Sequence, residues 1–256
     1  MAGINQSESS RFAKELAKSW PDFVDCEKRL VTEAPFLRRA LSFCKNGIVL
    51  DAALGTGCDS IFLIQQGFKV ISNEINPSLL EIALGSALRH GVTLNVKSYD
   101  WRFIGSRMSQ GSVDAVILLG NSLCLVRRLK HIESCLQQFY SLLKPGGCIL
   151  VDERNFDYIN HSSERILAGD FRYSRRFIYC GSEVAGRPTE IVPPRVQFGY
   201  FRKDETLIGT LEMYGFIAGE LAQMLTDTGF KNITVYSDFK ECVNDRADFF
   251  TYRAFK

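Results

Sequence analysis

The sequence predicts an α/β fold: a Rossmann-like, mostly parallel sheet with helices on both faces, an N-terminal helical lid and a small antiparallel β lid. Three observations carry this prediction. Short apolar runs alternate with segments of helical spacing between residues 46 and 159. Proline or glycine marks the edges of several of these segments. Beyond residue 160 the pattern changes to short, half-exposed strands, followed by one helix and two more strands.

Residues 1–45 read as the helical lid. "SSRFAKELAKSW" opens on serine caps and repeats Phe12, Leu16 and Trp20 at helical spacing, and Pro21 is expected to stop it. "GIVLDAA" is a buried strand, and "DSIFLIQQ" a helix ended by Gly67. "KVISNE" is a strand. "PSLLEIALGSALRH" is a helix with Pro77 in its first turn and Gly91 past its end. "TLNVKSY" and "VDAVILLG" are strands, the helix "HIESCLQQFYSLL" runs into "KPGG", and "CILVDE" is the next strand. "FRYSRRFIYC", "PRVQFGYFRKD" and "TLIGTLEMY" form the expected lid, residues 160–215. "IAGELAQMLTDTGF" is a helix, and "NITVYSDF" with "ADFFTYRAF" returns to the main sheet as a hairpin. The ligand-binding core is thus expected over 46–159 and 216–256.

Composition excludes several classes. Apolar content of 46%, charged content of 23% and a net charge of +2 give no electrostatic footprint for nucleic acid or membrane. No apolar stretch approaches a membrane span, and "MAGINQSESS" lacks the apolar core of a signal peptide, so a cytoplasmic protein is expected. The cysteines (Cys26, Cys44, Cys58, Cys124, Cys135, Cys148, Cys180 and Cys242) show no CxxC pair and read as free thiols in a reducing compartment. His90, His131 and His161 lack metal-ligand spacing, so no metal is expected.

The stretch "VLDAALGTGCDS" carries the site. In an open parallel sheet, ligands sit beyond the carboxyl ends of the strands. Gly55 and Gly57 let the loop bend tightly and approach a ligand closely. The pair alone is weak evidence, and an NAD fingerprint would want glycine where Ser60 stands. Glu74 ends the second strand, where a carboxylate can accept two hydrogen bonds from a ribose diol. Asp100 and Trp101 follow the third strand, where an acid can meet the exocyclic amine of adenine and an indole can cover the ring. Taken singly, Glu74 could be a polar strand end and Trp101 plain core. Glycine loop, ribose acid and adenine pocket nonetheless occur in the order expected for S-adenosylmethionine in a class I methyltransferase. That carrier has no pyrophosphate and brings a positive sulfonium, so Asp51 at the strand end is acceptable.

"VLDAALGTGCDSIFLIQQGFKVISNE", "YDWR", "ILLGNSLCLV", "LLKPGGCILVDERNFDYI", "FIYCGSEV" and "DFKECVNDRADFF" together resemble the glycine/sarcosine N-methyltransferases, closer to the microbial betaine-pathway enzymes than to the animal glycine enzyme. The resemblance implies an enzyme that methylates the amine of a small amino acid. By matched motif it puts the ribose acid on Glu74, with Ile75 and Leu79 beside it, and the adenine contacts on Asp100 and Trp101. It runs the loop beside the methionine moiety from Ala53 to Gly57, and Leu119 to Ser122 along cofactor and substrate. The substrate-carboxylate arginine falls on Arg154, and lid tyrosines on Tyr179, Tyr200 and Tyr214. "WPDFVDCEKR", with Trp20 and Arg29, resembles the family's cover over the methionine carboxylate. Leu123 and Leu125 depart from the family's aromatic and histidine after "GNS".

Methyl transfer is an in-line displacement in which a neutral amine must attack. The sequence offers no general base, so the expectation is a desolvated pocket beside the sulfonium charge that favours the neutral amine. The Asn121 carbonyl and the tyrosine hydroxyls would orient its hydrogens. Arg154 follows a strand end, where its planar fork can pair with a carboxylate; a salt bridge to Asp152 or Glu153 is the alternative. The expected partners are a small amino acid or amine, with no nucleic acid and no membrane, for a monomer or simple homo-oligomer. Methylation of another amine, nicotinamide chemistry and a catalytically idle cofactor-binding protein are the competing readings.

Overall fold

The computed structural model describes residues 6–171, 181–242 and 244–256, with side chains from residue 14 onward. Strands β1 (Ile48–Asp51), β2 (Lys69–Asn73), β3 (Asn95–Lys97), β4 (Val113–Leu118), β5 (Leu143–Arg154), β9 (Lys231–Ser237) and β10 (Phe249–Phe255) form one sheet. Its order is β3-β2-β1-β4-β5-β10-β9. The first five strands run parallel, and β10 lies antiparallel between β5 and β9. The expected return of the last two strands to the main sheet is observed. Parallel strands buried on both faces need continuous apolar runs, and Val49, Leu50, Val116, Ile117, Leu150 and Val151 are fully buried.

Helices α3 (Cys58–Gln65), α4 (Pro77–Arg89) and α5 (Leu129–Leu142) cross between these strands, and α8 (Glu220–Thr228) precedes β9. Helix α5 shows why its residues fold as they do. Ile132, Cys135, Leu136 and Phe139 recur at helical spacing, and all four are fully buried. Burying each of the larger apolar side chains stabilises the fold by about 1.5–3 kcal/mol. Short helices α6 (Phe156–His161) and α7 (Ser163–Leu167) lead out of β5. A second, antiparallel sheet follows: β6 (Val184–Val192), β7 (Arg195–Arg202) and β8 (Leu207–Tyr214). Helix α1 (Gln6–Val24) packs against β6 and β8, and α2 (Cys26–Ala40) follows it.

Three expectations need correction. Pro21 does not stop α1; the helix continues to Val24. The carbonyl of Pro21 still accepts from Asp25 N at 3.1 Å, and the break falls at Asp25, a left-handed residue whose side chain caps α2 through Lys28 N. "KPGG" is not a separate turn but the irregular start of β5, tied to the chain end by Gly146 N→Lys256 O and Lys256 N→Gly147 O. A Cβ on Gly147 would lie 2.9 Å from Asp114 O, so only glycine fits there. Strand β6 was not expected, because Gly186 and Pro188 interrupt its alternation; the ladder shifts register between Pro188 and Glu190. The expected strand at "FRYSRRFIYC" lies, apart from Phe171, outside the described residues. Among the described residues, no helix is long and apolar enough to cross a membrane.

Candidate active site

The loop after β1 is shaped by backbone bonds to both neighbouring strands. Ala52 N donates to Ile117 O at 2.9 Å, and Leu54 N to Asn73 O at 3.0 Å. Gly55 turns it at φ 55, and Gly57 at φ 93. A cavity of about 1090 Å³ opens above this loop, over the carboxyl ends of β1, β2 and β4. Helices α1 and α2 and the strand β8 close it from the other side.

Ala53, Gly55, Glu74, Ile75, Leu79 and Leu119 all border this cavity. Glu74 Oε2 accepts from Gly55 N at 2.9 Å, and Oε1 from Asn76 N at 2.7 Å. Burial pushes its carboxyl upward, against the pull of those amides. Trp101 borders the cavity too, its indole fixed by Nε1 donating to Ala52 O at 2.7 Å. Asp100 lies beside it, paired with Arg102 and capping the short turn at Trp101 through Arg102 N at 2.9 Å.

Two expected contacts face elsewhere. Asp51 is not among the residues that border the cavity. Its oxygens accept from Ser60 Oγ at 2.7 Å and Ala53 N at 3.2 Å, and burial raises it to about 7. It braces the loop from beneath. Gly57 is likewise absent from the cavity wall. A Cβ there would lie 3.2 Å from Ile61 and 3.4 Å from Ala83, so this glycine serves the close approach of α3 to α4.

The helical cover contributes Trp20 and Arg29. Trp20 stacks edgewise on Tyr200 at 5.2 Å, and Phe23 does so at 4.9 Å. Arg29 is buried, with Nε and Nη2 on the Glu33 carboxylate and Nη2 on Asp59 Oδ2 at 2.7 Å. Burial works against the charge of Arg29, and Asp59 and Glu33 more than restore it. Burial also pushes both acids upward, so the cluster keeps a proton more readily than free carboxylates do. Gly120, beside Arg29 Nη1, turns the chain after β4 at φ 76, a left-handed conformation that favours glycine.

The deep end holds Arg154, Asn121 and Tyr200. The Arg154 guanidinium lies over Phe198 at 4.9 Å and over Phe249 at 5.0 Å, between β7 and β10. Asp152 accepts from Gly120 N at 2.9 Å and Asn121 N at 2.6 Å, while Glu153 accepts from Tyr252 Oη at 2.5 Å. Asn121 sits at φ 62; its Oδ1 accepts from Arg154 N at 2.9 Å, and its Nδ2 lies 3.3 Å from Met213 Sδ. This amide therefore ties β4, β5 and β8 together. Leu125 borders the cavity, whereas Leu123 is core. Tyr214 does not border it: its hydroxyl donates to Glu220 Oε1 at 2.8 Å, away from Arg154. Tyr179 lies outside the described residues. Sequence reasoning missed Glu33, Asp59, Phe198 and Met213. Glu33 stands four residues from Arg29 on α2, a readable signal; the others are brought in by tertiary structure alone.

The residues present fit S-adenosylmethionine. Glu74 keeps acceptor capacity toward the cavity for a ribose diol, and the indole of Trp101 gives a flat wall. Arg29 borders the cavity with Glu33 and Asp59 holding it from behind, which sets a fixed positive group where a carboxylate can approach. Residues 49–147 match a family model described as a methyltransferase domain. The fold and cavity, with that match, define an S-adenosylmethionine-dependent methyltransferase of class I. The chain is 31% identical over 248 residues to the glycine/sarcosine N-methyltransferase of Aphanothece halophytica, covering 96% of this chain and 90% of that protein. It is 32% identical over 239 residues to the glycine/sarcosine/dimethylglycine N-methyltransferase of Actinopolyspora halophila, covering 93% of this chain but only 41% of that longer protein. A solved S-adenosylmethionine-dependent methyltransferase from Clostridium acetobutylicum shares the fold, with a TM-score of 0.71 at 17% identity over 96% of this chain and 98% of that one. The chain belongs to the glycine/sarcosine N-methyltransferase family.

Proposed function

We propose that this chain methylates the amine of a small amino acid of the glycine or sarcosine type, with Arg154 holding the acceptor carboxylate. One observation carries the reading: a buried guanidinium, within 5.0 Å of two aromatic ring centres, borders the same cavity as Glu74 and Arg29. When bound, S-adenosylmethionine supplies an activated methyl group on a sulfonium centre. Glu74 would take the ribose hydroxyls, Trp101 the adenine face and the Arg29 cluster the methionine end. The planar fork of Arg154 matches a carboxylate through two parallel hydrogen bonds. The amine must arrive without its extra proton. Tyr200, Leu211 and Met213 give this end of the cavity apolar surface, and the desolvation they impose disfavours an ammonium ion. His131, partly buried in the first turn of α5, also borders the cavity, and no hydrogen bond ties it to Arg154 or Asn121 among the described residues.

A second reading is favoured by that same wall. Leu125, Leu211 and Met213 are apolar where a small polar acceptor needs little covering, which suits an amine with an apolar substituent. The test is incubation of the purified protein with labelled S-adenosylmethionine and a panel of glycine, sarcosine, dimethylglycine and bulkier carboxylated amines. Methylation of glycine or sarcosine supports the first reading, and preference for a bulkier amine the second. Cofactor binding without product across the panel would leave a catalytically idle binding protein.

A further inference from the structure

Two helix starts meet beside the cofactor cavity, and each begins with a cysteine. Asp25 ends α1 in a left-handed turn, so Cys26 is the first residue of α2. Gly57 ends the glycine loop at φ 93, so Cys58 is the first residue of α3. Cys58 Sγ contacts Cys26 O at 3.9 Å, and Cys26 Sγ lies 3.6 Å from Thr56 Oγ1. The Cys58 thiol thus donates into the first turn of α2, which brings the two side chains side by side and couples their ionisation. Cys58 and Thr56 border the cavity, as does Arg29, one turn along α2. Cys26 is partly buried, and Cys58 is buried.

We propose that Cys26 and Cys58 form a thiol–disulfide exchange site that takes a small-molecule disulfide as oxidant, and that the resulting bond locks α2 onto the glycine loop. In the first step the Cys26 thiolate attacks one sulfur of the small disulfide. A mixed disulfide forms, and one small thiolate leaves and takes up the proton that Cys26 gave. The tie to Cys26 and burial hold Cys58 protonated in the reduced pair, so in the second step Cys58 gives up its proton as it attacks Cys26 Sγ. The Cys26–Cys58 bond forms, and a second small thiol departs with the Cys58 proton. Two protein thiols are oxidised, and one small disulfide is reduced to two thiols. An excess of small thiol runs the sequence backward.

The chemistry of the pair fits this order. The hydrogen bond from Cys58 is the main cause that brings the Cys26 thiol down to about 7, with Thr56 and the charge of Arg29 helping. The other buried thiols are poor nucleophiles: burial pushes Cys44 to about 11 and both Cys135 and Cys148 to about 12. Cys26 is therefore the sulfur that attacks first. The effect on turnover rests on the cofactor reading above, whereas formation of the bond does not.

The test uses the full chain, reduced, then treated with oxidised glutathione. The expected product has lost two hydrogens by intact mass, and a non-reducing peptide map joins the Cys26 and Cys58 peptides. S-adenosylhomocysteine bound beforehand should leave at least about tenfold more slowly after oxidation, and added afterward it should fail to enter. Dithiothreitol should restore exchange. Cys26→Ser should bind S-adenosylhomocysteine normally and ignore oxidised glutathione. Linkage of either sulfur to any other cysteine, or glutathionylation without closure, overturns the site. A Cys26–Cys58 bond that leaves ligand exchange unchanged overturns the lock. If the reduced protein fails to bind S-adenosylhomocysteine, the cofactor reading falls, while the peptide map still decides the exchange site.

Discussion

Arg154 and Glu74 are fixed in opposite ways, and their variants should fail differently. The guanidinium rests against the rings of Phe198 and Phe249, and a lysine lacks its planar fork. Arg154→Lys should raise the Michaelis constant for the acceptor by about thirtyfold or more, with cofactor affinity near normal. Steady-state kinetics beside calorimetry checks both halves; unchanged acceptor kinetics would remove Arg154 from the site. Glu74 is fixed through its oxygens, by Gly55 N and Asn76 N. Glu74→Ala should weaken S-adenosylhomocysteine binding by about tenfold or more in the same calorimeter. Both residues were legible because each stands at the end of a recognisable strand. Asp51 also ends a strand, yet Ser60 and Ala53 turn its carboxylate beneath the loop, which no linear spacing reveals.

At the scale of elements, Asp22 ties the antiparallel sheet to α1, and an exposed Arg202–Glu15 ion pair joins the same two elements. Asp22 Oδ2 accepts from Glu183 N at 3.0 Å and Val184 N at 2.9 Å, and Asp22 O accepts from Gly181 N at 2.7 Å. The aromatic trio Trp20, Phe23 and Tyr200 packs just beside this tie. Asp22→Ala should speed hydrogen exchange at the Val184 amide by about tenfold or more, while amides of β1 and β4 stay protected. Equal rates in both proteins would mean that the aromatic packing and the ion pair hold the sheet without it. The alternating strands and helices of the core were readable because apolar periodicity reports burial directly. The end of α1 was not, because tertiary packing over Trp20 and Phe23 carries the helix past Pro21. Strand β6 was not, because its pairing with β7 comes from cross-strand bonds rather than from alternation.

Over the whole molecule, buried acids set the response to pH. Burial pushes Glu153 to about 8, Asp51 to about 7 and Asp152 to about 6. In the open chain such groups titrate near about 4, so between those values the fold holds protons that the unfolded chain has lost. Their contribution is full below about pH 4 and is lost as pH rises through about 6 to 8, at about 1.4 kcal/mol per pH unit for each group. Glu153→Gln keeps an acceptor for Tyr252 Oη and removes one such charge. Its melting temperature should fall less between pH 5 and pH 8 than that of the parent, by roughly 10 °C in scanning calorimetry. Parallel curves would show that Glu153 stays ionised in the fold. The position of β10 has a further consequence. Phe249 belongs to that late segment, yet it lies against Arg154 from the middle of the chain. Translation delivers the loop around Gly55 long before it delivers Phe249. A copy still growing on the ribosome thus carries Gly55 and Glu74 well before it carries the ring on which Arg154 rests, so this end of the cavity is completed last.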